Sequence, residues 1–239
     1  VTGEANVIVQ AVDAGTSGNV PANTIIKMPV TIPGISECTN KEATSEGYAE
    51  EADEDLKLRY YDRLRIPATS GNIYHYKQWA KEVPGVGDAK VFPLWNGNNT
   101  VKVVIIDQER KPASEELVSD VQNYIDPGIT GTGAGEAPIG AFCTVESATG
   151  KDINISVKIV LAAGYDSTVV KKSIEEKVEG YLKEIAFVKN YLSYAVIGAT
   201  ILDVEGVLDY ESLTINDVTS NIECGDTEVM ILRGVVLIE

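Results

Sequence analysis

The chain has 239 residues, 44% of them hydrophobic, enough to bury a sizeable core in one large domain or two small ones. Its formal charge is −16, from 20 basic and 36 acidic residues, which argues against a nucleic-acid-binding face and against an anionic membrane surface. No run of 18 apolar residues is present to span a membrane, and Cys38, Cys143 and Cys224 are too few and too scattered for a zinc site or a disulfide framework.

The acidic balance suits a protein whose partners are basic, and the sparse cysteines point to a reducing, intracellular origin. No signal peptide is visible. The chain begins at Val1 inside an expected strand, so we expect a piece of a longer protein. Residues 1–47 read as a β-rich segment. Asn6 to Val12 alternates in polarity, Gly15 to Pro21 is a turn cluster, and Thr24 to Ile32 is a strand interrupted by Pro29. Pro33-Gly34 turns the chain before Ile35 to Thr39. Such a segment has little core of its own and should complete a sheet formed elsewhere.

From Glu50 the period changes. Leu56, Tyr60 and Leu64 recur every four residues, as on one helix face. Acidic residues crowd the start of that helix, and Arg59, Arg63 and Arg65 occupy its second half, as the helix dipole favours. Pro67 should end it, with Ile66 pushed out of the α region. Thr69 or Ser70 can cap a second helix carrying Ile73, Tyr76, Ala80 and Val83, with Trp79 beside them. Pro84-Gly85 closes it. Val86 to Phe92 and Val101 to Ile106 read as strands around an Asn96-Gly97 hairpin signal. Pro112 to Glu116 opens a third helix, with Leu117, Val121, Tyr124 and Ile125 on one face. Asp126-Pro127 ends it, and the glycine-rich stretch 127–137 reads as a loop or boundary.

Two strands follow, at about 139–147 and 153–161. A long helix is capped by Asp166 or Ser167 and striped by Val170, Ile174, Val178, Tyr181 and Ile185. A further helix at about 193–203, a strand at about 210–215 and a last strand Val229 to Ile238 complete the chain. A shift of 121 residues overlays the two halves: Ile73, Tyr76, Ala80 and Val83 fall on Tyr194, Ile197, Ile201 and Val204, Gly85-Val86 on Gly206-Val207, Asp88 on Asp209, and Tyr60 and Leu64 on Tyr181 and Ile185. The expected fold class is α+β: two small repeated strand-helix-helix-strand-strand domains, 48–136 and 137–239, after the β-rich segment 1–47.

Residues that would carry chemistry are scarce. His75 is the only histidine and sits mid-helix without a nucleophile motif. The sequence GTGAG at 131–135 is followed by Glu136-Ala137-Pro138 rather than by the Lys and Ser/Thr of a phosphate loop, so it reads as a linker or wide turn. The acidic run 50–55 lacks the spacing of a calcium loop, and a cap-and-dipole role explains it. No catalytic, metal-binding or cofactor-binding residue is assigned. Candidate interface residues are Arg59, Arg63, Arg65, His75 and Trp79, because charge and aromatic anchors gather there and because His75 and Trp79 have no counterpart in the second half.

Three stretches carry a resemblance to a known family. They are Gly18-Asn19-Val20-Pro21-Ala22-Asn23-Thr24-Ile25; the helix pair with Leu64-Arg65, Ala68-Thr69-Ser70-Gly71-Asn72, Tyr76, Trp79, Ala80 and Val83-Pro84-Gly85-Val86; and Ala137-Pro138-Ile139-Gly140-Ala141. In order and spacing the chain resembles the baseplate J-like family of contractile phage tails, which includes Mu-type proteins and those of Gram-positive prophages. Asn23 departs from the pattern, standing where a glycine is common. The resemblance implies a structural, non-enzymatic wedge component of a virion tail baseplate, made in the bacterial host cytoplasm. Its implied contacts are copies of itself around a ring, a sheath-proximal wedge protein and a tail-fibre-linking protein, without nucleic acid, membrane or cofactor. Segments near 33–47 and 127–137 would then serve as hinges. On the residues alone, a tail-associated binding module (an adhesin or carbohydrate-binding protein) and a carboxylate-based hydrolase stay open as alternatives.

Overall fold

The most apolar run of the chain, within β2 (Thr100–Asp107), places Val103, Val104, Ile105 and Ile106 all at 0% exposure, as a central strand requires. In this computed structural model, which describes residues 3–45, 47–65 and 68–238, β2 is flanked by β1 (Val86–Pro93), antiparallel, and β3 (Phe142–Ser147), parallel. Helix α2 (Ile73–Glu82) packs on β1, α3 (Glu115–Ile125) packs on β3, and the two helices touch. Asn72 caps α2 by accepting the His75 N–H at 2.9 Å, and Ser114 caps α3 by accepting the Leu117 N–H at 3.1 Å. Leu117, Val121 and Ile125 are buried as their spacing predicts, whereas Tyr124 turns outward and donates its hydroxyl to Glu82 at 2.9 Å.

A second three-stranded sheet is centred on β4 (Thr149–Leu161), with β6 (Val207–Ile215) antiparallel and β8 (Glu228–Leu237) parallel to it. Helix α4 (Ser167–Ile185) packs on β8, α5 (Tyr194–Leu202) packs on β6, and these helices also touch. A small ribbon of β5 (Tyr191–Leu192) and β7 (Ile222–Glu223) lies beside them. Ile153, Ile155, Val157, Ile174, Val178, Ile197 and Ile201 form the dry centre of this layer.

The mixed α+β class is as expected, and the repeat is present in local detail. Asn72 and Ser193, 121 residues apart, cap α2 and α5. Gly85 and Gly206 follow with φ of 96° and 93°, a left-handed turn that favours glycine. Val83 N–H bonds Ala80 O and Val204 N–H bonds Ile201 O, at 3.3 and 3.2 Å. The match continues into the next strand, where Asp88 and Asp209 each accept the N–H of the following residue at 2.9 and 2.8 Å. On the N-terminal side of this stretch the expected correspondence fails. The helix matched by the shift to α4 is α1 (Asp53–Arg65), yet the helix that occupies the α4 position, over the parallel edge strand, is α3. The two layers share one architecture with permuted wiring. In the first, the order is α2, antiparallel edge, centre, α3, parallel edge. In the second, the centre and the helix that covers the parallel edge come first, followed by α5, the antiparallel edge and the parallel edge. A linear shift cannot align such halves along their whole length.

The glycine-rich stretch is not a linker between the layers. β3, expected in the second domain, completes the first sheet, and residues 127–141 fold back onto α3 through Glu136 N–H to Tyr124 O (3.1 Å) and Ala137 N–H to Ile125 O (2.8 Å). Gly135 lies so close to the end of α3 that a Cβ there would sit 2.5 Å from the Ile125 carbonyl oxygen. The layers are joined by the single buried residue Ala148, between β3 and β4. They dock through Val104, Ile106, Ala148, Ala186 and Val229, with Phe92 and Phe187 packed against them. An ion pair between Lys183 and Glu109 and the Lys90 ammonium over the Phe187 ring (5.1 Å) border this seam. A hinge at 127–137 is therefore not what the packing provides.

Both layers belong to one compact unit, Arg63–Glu239; the other unit is Val1–Asp62. The expected strands of the N-terminal segment do not form. Among the described residues of 3–52 there is no strand, only a short 3-10 turn at Thr16–Gly18. Val7, Ile8, Val9 and Val12 are 70–101% exposed, because alternation marks a face to bury but a ladder also needs a partner strand. Polar side chains hold this unit instead. Asn40 Oδ1 accepts the N–H groups of Thr24 (3.0 Å) and Ile25 (2.9 Å), and its Nδ2 donates to Pro21 O and Glu42 O. Asn23 adopts φ 61°, a left-handed conformation that asparagine tolerates better than most residues. The expected helix stop at Ile66-Pro67 lies outside the described residues.

Candidate interaction surfaces

Helix α1 carries the expected charge polarity, with Asp53, Glu54 and Asp55 in its first turn and Arg63 and Arg65 in its last. Its apolar stripe is not a core stripe. Leu56, Tyr60 and Leu64 are 47%, 58% and 64% exposed. Arg59 makes a bidentate pair with Glu51, Nε to Oε1 at 2.9 Å and Nη2 to Oε2 at 2.7 Å, so it braces the approach to the helix. Arg63 and Arg65 lie exposed at the helix end.

His75 and Trp79 sit on α2. The His75 ring stacks on Trp79 with centroids 4.0 Å apart, and Nδ1 accepts the Gly71 N–H at 3.2 Å, which fixes the turn entering the helix. Trp79 itself is 5% exposed and meets Tyr76 edge-on at 5.0 Å. It supports the α2 surface from beneath, while His75 is partly accessible. The five candidates therefore divide: three arginines on α1, a half-buried histidine on α2, and a core tryptophan.

A polar cluster at the end of α3 is one that sequence reasoning missed. Asp126, 1% exposed, ends α3 and accepts three backbone N–H groups: Thr130 (3.2 Å) and Gly131 (3.2 Å) on Oδ1, and Cys143 (3.0 Å) on Oδ2. One helical turn earlier, Gln122 Nε2 donates to Asp126 O (2.7 Å) and Cys143 O (2.9 Å), while its Oε1 accepts the Val145 N–H (2.8 Å). Only the Asp-Pro pair marked this place in the sequence, and it signalled a helix end rather than a buried carboxylate. Burial pushes the neighbouring Cys143 thiol up to about 12, with the Asp126 charge adding to it, so that sulfur stays protonated and is no nucleophile near neutral pH. Burial likewise pushes the Tyr76 phenol up to about 12. Among the described residues no group of three or more His, Cys, Asp or Glu side chains could hold a metal ion, and no helix is long and apolar enough to cross a membrane.

Comparison with known proteins agrees along the chain. The Baseplate J-like protein barrel domain matches residues 1–47, the Baseplate J-like central domain 68–147 and the Baseplate J-like protein C-terminal domain 153–238. The uncharacterized protein YqbT of Bacillus subtilis is 42% identical over 228 residues, covering 95% of this chain and 65% of that protein. The phage-like element PBSX protein XkdT of the same organism is 42% identical over 209 residues, covering 87% of this chain and 60% of the relative. Baseplate protein gp47 of Escherichia phage Mu is 32% identical over 164 residues, 66% of this chain and 45% of its own length. The chain thus spans under two thirds of each of these relatives. In fold, it matches a chain in the cryo-EM structure of the anti-feeding prophage baseplate with a TM-score of 0.53 at 15% identity, covering 93% of this chain and 51% of that one. With three successive domains of one family in order, and prophage and phage relatives at 32–42% identity, the chain belongs to the baseplate J-like family.

Proposed function

We propose that this chain is part of a structural component of the baseplate of a contractile phage tail or phage-like particle. The observation that carries the reading is the order of the three family domains, in a chain whose relatives include a named baseplate protein of phage Mu. The chemistry agrees with a non-enzymatic role: the sole histidine is engaged in a helix entry, and the most buried carboxylate is engaged in holding a loop. On this reading the protein resides in the tail baseplate and contacts other baseplate proteins. The finer partners we propose are copies of itself around a ring, a sheath-proximal wedge protein and a tail-fibre-linking protein.

We read the chain as three modules: 1–47, a middle α+β module from 48, and a C-terminal α+β module. Because β3 pairs with β2, the second boundary is better drawn at Ala148 than at 136. For partner contact we favour the exposed side of α1 with Arg63 and Arg65, flanked by Arg59, and the accessible edge of His75 above Trp79. Exposed apolar residues beside arginines are the composition that interface anchors use. The test is genetic. The gene is deleted from the producing strain and the lysate imaged; absent or incomplete baseplates are expected, and intact contractile tails would overturn the proposal. Complementation with Arg63→Glu/Arg65→Glu should then restore the protein level but not the tails.

A further inference from the structure

Each sheet has one edge strand that runs parallel to its centre, β3 in the first layer and β8 in the second. In a parallel pair, the N–H and C=O of one residue point to the same side, and those of the next residue point to the other. On β3, the Phe142 N–H bonds Asn99 O and the Ala148 N–H bonds Ile105 O, so even-numbered residues face β2. Cys143 and Val145 therefore turn their backbone groups outward, to the open edge. Those are the groups that Asp126 and Gln122 take: Cys143 N–H, Cys143 C=O and Val145 N–H. The same device recurs on β8. The Ile238 N–H bonds Val157 O and so faces β4, while the outward Val235 N–H bonds Oε1 of Glu175, from α4, at 3.3 Å. In both layers the capping side chain comes from the helix that covers that edge strand.

We propose that Gln122 with Asp126, and Glu175, are edge guards: they fill the hydrogen-bonding positions that a strand of a second copy of this chain would fill. An open strand edge is a template for pairing between copies, and a protein that must assemble at other surfaces has reason to close it. Gln122 is suited to β3 because one amide presents both a donor and an acceptor at the spacing of a strand's own backbone.

The test uses the full chain. Gln122→Met keeps the length and packing of the side chain and removes both bonds to the β3 edge, together with the one to the Asp126 carbonyl. Two changes are expected. The Val145 amide should exchange roughly 10-fold faster or more, because its protection there depends on a single side-chain acceptor. The weight-average mass in sedimentation should rise with concentration beyond that of the parent. Adding Ser147→Pro, at the next outward-facing edge position, should return the mass to the parental value, since proline blocks strand addition there. A folded Gln122→Met protein whose mass follows the parent at every concentration overturns the proposal, as does a mass increase that Ser147→Pro leaves unchanged. Should Gln122→Met not fold, Glu175→Ala, which removes one bond at the edge of β8, carries the same measurements at Val235.

Discussion

Asp126 is the one charged side chain buried among the described residues, and its replacement has a predictable result. Asp126→Ala leaves the buried N–H groups of Gly131 and Cys143 without an acceptor, and each such group costs on the order of 1–3 kcal/mol, while the Thr130 N–H can turn to water. We expect a loss of several kcal/mol in urea unfolding of the full chain, and a loss below about 1 kcal/mol would show that the loop finds other acceptors. Asp126→Asn should be milder, since one oxygen remains for Thr130 and Gly131 while the new amide confronts the Cys143 N–H. Gly135 is constrained differently. An added Cβ would meet the Ile125 and Tyr124 carbonyl oxygens at 2.5 and 2.6 Å. Those atoms are backbone and end α3, so Gly135→Ala should destabilise by roughly 1–3 kcal/mol, the range for overpacking. The equivalent change at Gly180, which has nothing within 4 Å, should stabilise α4 by up to about 1 kcal/mol. Thermal melts of the two variants should therefore move in opposite directions.

Among the elements, α5 shows how a repeat is adapted to its own layer. Gly198 lies under Tyr210 of β6, so a Cβ there would fall 2.2 Å from the hydroxyl oxygen and 2.9 Å from the adjoining ring carbon. Gly198→Ala should cost stability although alanine is the better helix former by about 1 kcal/mol. In a double-mutant cycle Tyr210→Phe should recover part of that loss, and strict additivity of the two changes would show that the ring simply swings away. The same elements show what could be read from the residues. The boundaries of α3 and α5 and the end of α2 follow from caps and stops adjacent in sequence, and β1 and β2 follow from short apolar runs, so local chemistry announces them; the start of α2 falls at Asn72, not at the expected Thr69 or Ser70 cap. The wiring does not announce itself. The equivalence of α3 with α4 depends on which strand each helix covers, a long-range fact, and the 121-residue shift instead suggested α1. The N-terminal strands failed for a related reason, since Val7 to Val12 has the pattern of a strand without a ladder partner among the described residues. Of the candidate interface, the charge on α1 was legible. The burial of Trp79 and the roles of Gln122 and Asp126 were not, because aromatic and polar residues look alike in sequence whether buried or exposed.

At the scale of the molecule, the seam between the two layers decides how unit Arg63–Glu239 responds to stress. Val104, Ile106, Ala148, Ala186 and Val229 form one dry contact fed by both sheets, so the layers should unfold together. Trp79 fluorescence and hydrogen exchange in β4 should report one shared transition, and Val229→Asp, which places a charge in that contact, should separate them. The ionisable groups around the fold add a pH dependence made of opposing contributions. Lys183 holds the Glu109 carboxyl below its usual range across the seam, the α4 N-terminal N–H groups do the same for Asp166, and Lys177 does so for Asp203. A carboxyl lowered in the folded state contributes stability that is present above its unfolded value, about 4, and is lost as pH falls through the folded value. Asp107 works in reverse. Burial raises it, so its ionised form opposes folding, and stability is regained as pH falls through its folded value toward the unfolded one. Three lowered groups against one raised group predict a nearly level urea midpoint from pH 7 to about 5 and a fall below about pH 4. Glu109→Gln should make that fall shallower by removing the contribution at the seam. The lowered groups are largely exposed and shielded by solvent, so added salt should shrink the difference between parent and variant. A midpoint that keeps rising below pH 4 would mean that relief of the −16 net charge and of Asp107 outweighs these three contacts.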